Sequence, residues 1–208
     1  MDLSDWLRRC PLIAILRGIE PAEIVSVLTV LESAGICIAE IPLNSPDPFT
    51  SISRAAQQFG GRMLIGAGTV TDPRQVGEVA ASGGRLIVTP HSNAAIVREA
   101  KSAKLIAVPG FFTPTEAFAM LDSGADALKL FPAEALGAAA ARSLRAVLPN
   151  GTMLIPVGGI DRRSIPSWKR EDVSGYGVGT ALYRPGDCAQ DVKTKAEHLL
   201  FACNANPQ

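Results

Sequence analysis

The chain has 208 residues and 47% hydrophobic content, which is enough to bury one sizeable core. Its 20 acidic and 20 basic residues give a formal net charge of zero, and neither sign forms a long run. This balance argues against nucleic acid or an anionic membrane as the main partner. No apolar run reaches membrane-spanning length, and the N-terminus lacks the basic and apolar regions of a signal peptide.

Cysteine and histidine usage indicates a reducing compartment and no metal. The four cysteines are scattered without paired spacing, at Cys10, Cys37, Cys188 and Cys203. This spacing predicts reduced thiols in a cytoplasmic protein. His91 and His198 lie far apart and belong to no ligand-spaced cluster, so we expect no metal site.

Short apolar segments alternate with helical patterns along the chain. A short N-terminal helix is predicted over residues 1–10, where Pro11 follows. Eight strands are predicted, over 12–16, 36–43, 63–67, 86–89, 105–108, 125–132, 153–157 and 175–179. Helices are predicted over 21–34, 50–59, 73–82, 115–123 and 188–201. Two more are predicted after the fourth and sixth strands, one ending at 101 and one running toward 148, and a frayed tail is predicted at 202–208.

This alternation predicts an α/β fold: a single (β/α)8 TIM-barrel domain over residues 1–208. A weak internal repeat supports a closed barrel. Glu40 follows Gly35 by five residues, and Lys129 follows Gly124 by five, so the two charged residues occupy matching positions on strands two and six. We expect both to point inward near the same end. An open doubly wound sheet satisfies the same local pattern and remains the alternative.

Lys129 lies in an apolar strand, where an ammonium group is costly to desolvate. One interpretation is a lysine whose stem packs while its head reaches water or a carboxylate. The other is a desolvated lysine with a lowered pKa, able to attack a carbonyl and form a Schiff base. The position near a strand's C-terminal end favours the second interpretation, because barrel enzymes place their chemistry there.

Two further charged residues end or interrupt apolar strands. Glu40 could move protons across a closed pocket, or serve as a structural counter-charge for Arg17 or Lys129. Arg17 ends the first strand without an obvious local partner, so it could bind a substrate carboxylate or simply cap the rim. The glycine-rich turn before Thr69 could offer donors beside that carboxylate.

Glycines lie at the ends of the last two predicted strands. Gly158 and Gly159 follow strand seven, and Gly179 precedes Thr180 after strand eight. Barrels frequently bind phosphate in these two loops through backbone N–H groups, although such glycines also form plain turns. His91 lies near the predicted mouth, and we interpret it as incidental.

Taken together, the motifs resemble the 2-keto-3-deoxy-6-phosphogluconate/6-phosphogalactonate aldolases. The segments that carry the resemblance are 11–18, 40–46, 66–70, 88–90, 109–110, 128–132 and 157–159. The resemblance implies a cytoplasmic, homotrimeric class I aldolase of carbohydrate catabolism that needs no cofactor. It further implies Lys129 as the Schiff-base lysine, Glu40 as general acid/base, and Arg17 and Thr69 as carboxylate ligands. The phosphate ligands it implies are Gly158, Gly159, Gly179 and Thr180, and Phe131 would pack beside the imine.

The galactonate branch is favoured over the gluconate branch. The gluconate branch usually has Leu-Arg-Thr after its glutamate and a threonine before the double glycine, whereas this chain has Leu43-Asn-Ser45 and Val157. Val157 and Pro90 are therefore expected to shape the pocket that distinguishes the epimers. Phe111 and Phe112 after Pro-Gly are bulkier than the usual residues, and His91 also departs from the pattern.

The resulting hypothesis is reversible cleavage of 2-dehydro-3-deoxy-6-phosphogalactonate to pyruvate and D-glyceraldehyde 3-phosphate. The nearest alternative is the gluconate epimer as substrate. More remote alternatives are a phosphate-binding epimerase or isomerase on the same barrel, and a non-catalytic sugar-phosphate binding module. Neither of these needs a lysine in an apolar strand.

Overall fold

The computed structural model describes residues 1–204. Within them the strands are Leu12–Ile15 (β1), Ile38–Pro42 (β2), Leu64–Gly68 (β3), Leu86–Val88 (β4), Ile106–Val108 (β5), Gly110–Phe111 (β6), Leu128–Leu130 (β7), Leu154–Pro156 (β8) and Tyr176–Val178 (β9). Each predicted strand is present, with its ends shifted by a few residues. β6 was not predicted, and it follows β5 directly after Pro109, which has no N–H to donate to a strand ladder.

The strands form two parallel sheets. One has the order β5-β4-β3-β2-β1-β9 and the other has the order β6-β7-β8. The order is sequential from β1 to β5, and the last strand pairs with the first, whereas a doubly wound sheet reverses its order at a switch point. A parallel bridge between Val157 and Gly177 connects the end of β8 to β9.

Helices separate most consecutive strands of the described chain. They are Leu3–Arg9 (α1), Ile24–Ala34 (α2), Pro48–Phe59 (α3), Arg74–Ala81 (α4), Ala94–Ser102 (α5), Pro114–Asp122 (α6), Ala133–Leu136 (α7), Ala138–Arg145 (α8), Ile165–Lys169 (α9) and Ala189–Asn204 (α10). No part of this range has a helix long and apolar enough to cross a bilayer.

Three helical predictions need correction. The single helix predicted after the lysine strand is two helices, α7 and α8, because Gly137 lies between them with φ +72°. α9 was not predicted. α10 continues through Asn204, beyond the predicted helix end at residue 201, and the rest of the predicted tail, residues 205–208, lies outside the described range.

The strands are almost entirely buried, as expected for a parallel sheet covered by helices. The buried apolar side chains of the described chain form one cluster. Two charged side chains, Glu40 on β2 and Lys129 on β7, lie buried among these apolar residues, so the fold places both where water has little access.

Candidate active site

Lys129 is the central residue of β7, where it pairs in register with Gly110 and Ile155. It is 5% exposed, and its Nζ lies 4.8 Å from the centroid of the Phe131 ring. Burial lowers the pKa of Lys129 below its ordinary value, Glu40 opposes this shift, and Arg17 adds to it. A larger fraction of this amine is therefore neutral and nucleophilic than for an exposed lysine.

Glu40 lies on β2 and is 1% exposed. Burial raises its pKa from 4.5 to about 7, although the positive charges of Lys129 and Arg17 act in the opposite direction. Within residues 1–204, Oε2 of Glu40 has no hydrogen-bond partner, and no ion pair within 4 Å joins this carboxylate to Lys129. The two groups therefore affect each other electrostatically while each remains available to a third group.

Gly68 provides the space that the Glu40 carboxylate occupies. Gly68 is the last residue of β3 and pairs in register with Pro42. A Cβ at position 68 would overlap Oε2 of Glu40, and the obstacle it meets is the far end of a side chain rather than backbone. A residue with any side chain at this position would therefore push the carboxylate aside.

Arg17 follows β1 and forms a small polar cluster with two neighbouring loops. Its Nη1 donates to Oδ1 of Asn44 at 2.5 Å, and its Nη2 donates to Oγ1 of Thr69 at 3.3 Å. Thr69 has φ +54°, a left-handed conformation that is unusual for a β-branched residue and is typical of constrained functional turns. Arg17 is exposed, so the guanidinium can also meet an anion.

A cavity of about 610 Å³ lies beside these groups. Seven of the predicted site residues line it: Arg17, Phe131, Val157, Gly158, Gly159, Gly179 and Thr180. The rest of its lining was not predicted and comprises Ile15, Glu134, Ile160, Asp161, Gly177, Ala181 and Arg184. The cavity thus connects the arginine end of the site to both glycine loops.

The glycine loop after β8 is held in a conformation that side chains rarely adopt. Gly158 and Gly159 have φ +107° and +66°. A Cβ at Gly158 would overlap Oε2 of Glu134, and one at Gly159 would lie 2.9 Å from Cβ of Glu134. The loop therefore requires glycine for both its backbone conformation and its close approach to α7.

Four predicted residues lie outside the cavity lining: Lys129, Glu40, Thr69 and Pro90. The Nζ of Lys129 lies over the ring of Phe131, and Phe131 does line the cavity. Pro90 instead packs against β6, where a Cβ on Gly110 would lie 2.6 Å from its carbonyl carbon. Phe111 is buried, Phe112 is 42% exposed and His91 is exposed, and none of the three lines the cavity.

Several residues of the site escaped prediction because they carry no local signal. Asn44 and Arg184 are polar loop residues. Asn44 is brought beside Arg17 only by the fold, and Arg184 lies four residues after Thr180 with no motif that marks it. Glu134 comes two residues after Pro132, where an exposed glutamate is ordinary. Gly68 belonged to a recognised glycine-rich turn, but its partner, Glu40, is 28 residues away.

Comparison with known proteins shows the family of the chain. Residues 3–194 match the model of the family described as "Aldolase: KDPG and KHG aldolase". The chain belongs to the KDPG and KHG aldolase family. It is therefore an aldolase, a carbon–carbon lyase.

Two curated relatives within this aldolase family are similar over nearly their whole length. The "Probable 2-dehydro-3-deoxy-6-phosphogalactonate aldolase" of Rhizobium meliloti is 43% identical over 195 residues, 94% of this chain and 92% of the relative. The 2-dehydro-3-deoxy-6-phosphogalactonate aldolase of Escherichia coli is 40% identical over 198 residues, 95% of this chain and 97% of the relative. A solved structure described as "Native KDPGal structure" matches with a TM-score of 0.92 and 40% identity, over 93% of this chain and 94% of that one.

Proposed function

We propose that this aldolase uses Lys129 as a Schiff base to cleave 2-dehydro-3-deoxy-6-phosphogalactonate reversibly to pyruvate and D-glyceraldehyde 3-phosphate. The observation that carries the proposal is a buried lysine of lowered pKa that shares its site with a buried, unpartnered glutamate. The names of the relatives support the substrate.

The first steps join the substrate to the enzyme. Neutral Lys129 attacks the C2 carbonyl carbon, and a proton passes from the new ammonium nitrogen to the alkoxide oxygen to give a neutral carbinolamine. Protonation of that hydroxyl by Glu40 lets water leave, and the nitrogen lone pair forms the C=N bond of the iminium. A pKa near 7 suits Glu40 to this role, because the carboxyl can both give and take a proton near neutral pH.

Cleavage follows from the positive nitrogen. Glu40 removes the proton of the C4 hydroxyl, the C3–C4 bond breaks, and its electron pair moves into the iminium to form an enamine. D-Glyceraldehyde 3-phosphate leaves as the aldehyde product. The enamine is then protonated at C3, and water hydrolyses the resulting iminium to release pyruvate and free Lys129.

The two anionic ends of the substrate define its orientation. The guanidinium of Arg17, with Thr69 beside it, binds the carboxylate next to C2. The backbone N–H groups of Gly158, Gly159 and Gly179, together with the hydroxyl of Thr180, bind the phosphate. Phe131 packs against the lysine amine and limits water there.

The galactonate preference rests on Val157. This side chain is 7% exposed and lines the cavity, and its Cγ2 would lie 2.5 Å from a Cβ on Gly177. A methyl group at this place offers no hydrogen bond to a sugar hydroxyl, so it does not select the gluconate configuration. The 2-dehydro-3-deoxy-phosphogluconate aldolase of Dickeya dadantii is 31% identical over a shorter 136 residues, and the gluconate epimer is the second candidate substrate.

We also infer that the two sheets are parts of one closed eight-stranded barrel in a single domain. β5 and β6 are consecutive pieces on either side of Pro109, whose carbonyl oxygen accepts a 2.9 Å hydrogen bond from the N–H of Lys129. The Val157–Gly177 bridge supports closure on the other side. A closed barrel would keep Lys129 and Glu40 away from bulk water.

A cytoplasmic homotrimer is proposed for the assembled enzyme. All four cysteines are free thiols, which suits a reducing compartment. The exposed phenylalanines Phe112 (42%) and Phe118 (39%), at the end of β6 and on α6, provide apolar surface for association. Sedimentation of the purified enzyme would measure its oligomeric state.

The decisive experiment traps the intermediate. Wild-type enzyme is treated with pyruvate and borohydride, and the peptide carrying the added mass is identified. We expect the modification on Lys129, and we expect Lys129→Ala to lose both trapping and turnover while retaining its circular dichroism spectrum. Lys101→Ala is the control, since that lysine pairs with Asp126 on the surface side. An epimerase, an isomerase or a binding module would leave the protein mass unchanged, and modification elsewhere would contradict the assignment of Lys129.

A further inference from the structure

The glycine loops that are proposed to bind the phosphate carry no positive charge of their own. Backbone N–H groups and one hydroxyl are neutral donors, whereas the phosphate carries nearly two negative charges near neutral pH. Of the residues that line the 610 Å³ cavity, two are cationic, Arg17 and Arg184, and two are acidic, Glu134 and Asp161. Arg17 lies beside Asn44 and Thr69 and is the proposed ligand of the carboxylate at the other end of the substrate.

Arg184 lies beside the second glycine loop. Its Nε donates to the carbonyl oxygen of Thr180 at 3.2 Å. In the described part of the chain, no hydrogen bond or ion pair within 4 Å engages its Nη1 or Nη2. The carboxylate of Asp187 interacts with the guanidinium only electrostatically, so its outer edge can still donate to a further anion. That edge can donate two parallel hydrogen bonds to a phosphate.

The backbone that carries Arg184 is fixed. The N–H of Arg184 donates to Oδ2 of Asp187 at 2.7 Å, and Nζ of Lys195 on α10 lies 2.5 Å from the same carboxylate. Pro185 also packs against Gly18, where a Cβ would lie 2.7 Å from Cγ of the proline. The arginine therefore projects from an anchored loop, which reduces the entropy lost when it binds an anion.

The two acidic residues of the cavity add negative charge near the proposed phosphate site. Asp161 accepts hydrogen bonds from the N–H groups of Arg163 and Ser164, both at 2.8 Å. Glu134 is exposed, and its carboxylate reaches the space beside Gly158. A phosphate bound there faces Glu134 on the α7 side, so a cation is needed to offset the repulsion.

We propose that Arg184 is a phosphate-binding residue that makes the enzyme select phosphorylated over unphosphorylated 2-keto-3-deoxy sugar acids. This inference rests on the proposed function. Arg184 touches neither Lys129 nor Glu40 and acts on the far end of the substrate, so it contributes to binding and orientation and leaves the Schiff-base chemistry to those two residues.

The test compares substrates with and without the 6-phosphate. For Arg184→Ala we expect kcat/KM on the phosphorylated substrate to fall by about 10- to 100-fold, the range for losing a charge-assisted hydrogen bond. The ratio of kcat/KM between the phosphorylated and unphosphorylated acids should fall by the same factor. Arg184→Lys should restore part of the ratio, because it keeps the charge but loses the bidentate geometry.

The matched control is Arg163→Ala, an exposed arginine that does not line this cavity, and its ratio should equal that of the wild type. Pyruvate trapping by borohydride is measured in every variant. An equal loss on both substrates, or no loss on either, with trapping intact, would overturn the role of Arg184 alone. Failure of the wild type to trap pyruvate would overturn the proposed function, and this inference with it.

Discussion

The absence of a side chain at Gly68 determines where the carboxylate of Glu40 can lie. Gly68→Ala places a methyl group in the volume of Oε2, and the carboxylate can yield by rotating away from the site. We expect kcat to fall by about 100-fold or more, the usual contribution of a positioned acid–base group. The measurement is the steady-state rate of pyruvate release.

Two further variants test whether a loss of kcat in Gly68→Ala comes from the displaced Glu40 carboxylate. Glu40→Gln should show a similar loss of kcat, since it removes the group that we propose transfers the proton. Gly77→Ala on α4 is the glycine control, because no atom lies within 4 Å of its added Cβ and alanine favours a helix. Unchanged kcat in Gly68→Ala would show that the position of Glu40 does not matter to the reaction.

The sequence predicted the residues that carry a local signal better than those that carry none. Lys129 and Glu40 are conspicuous because a charge inside an apolar strand is costly, and the five-residue spacing from a glycine placed both on equivalent strands. Asn44, Glu134 and Arg184 are ordinary polar loop residues. Their role depends on which loops meet, and that is set by the tertiary structure.

At the level of elements, we propose that the end of β8 controls the choice between the two epimers. Val157→Thr exchanges a methyl for a hydroxyl at nearly constant volume, beside Gly177 in the cavity wall. We expect the ratio of kcat/KM for the galactonate to the gluconate epimer to fall by about tenfold, the value of one hydrogen bond of about 1.4 kcal/mol. Rates on both epimers should be measured with the same enzyme preparation.

Val157→Ala is the matched comparison for that variant. It removes packing without adding a hydroxyl, so it should lower the rates on both epimers without reversing the preference. A threonine variant that behaved like the alanine variant would assign epimer selection to other residues.

The periodic elements were predictable and their interruptions were not. Alternating apolar strands and amphipathic helices gave the parallel α/β organisation, because burial of one face per element is encoded locally. The division of one strand at Pro109 into β5 and β6 depends on tertiary pairing, because β5 pairs with β4 and β6 pairs with β7. The division of α7 from α8 at Gly137 depends on its left-handed backbone, and glycine alone does not specify that conformation.

For the whole molecule, the buried carboxyl of Glu40 makes folding depend on pH. Its pKa is 4.5 in an exposed chain and about 7 in the folded protein. Between these values the folded state holds a proton that the unfolded state has lost, so the free energy of unfolding falls as pH rises from 4.5 to 7. A shift of this size corresponds to about 3 kcal/mol.

Glu40→Gln removes this titration and keeps the shape of the side chain. We expect the variant to be more stable than the wild type at pH 8, and the difference to shrink or vanish near pH 4.5. Urea unfolding at a series of pH values measures it. Because Glu40 also raises the pKa of Lys129, the difference reports the two coupled groups together. A stability difference that is constant with pH would contradict the raised pKa of Glu40.

The contact between Gly18 and Pro185 has a consequence for substrate length. The turn after Arg17 and the loop bearing Arg184 touch, so the backbone fixes where both arginine stems begin. If the two guanidinium groups hold the carboxylate and the phosphate as proposed, we expect an acid one carbon shorter or longer to be a poorer substrate.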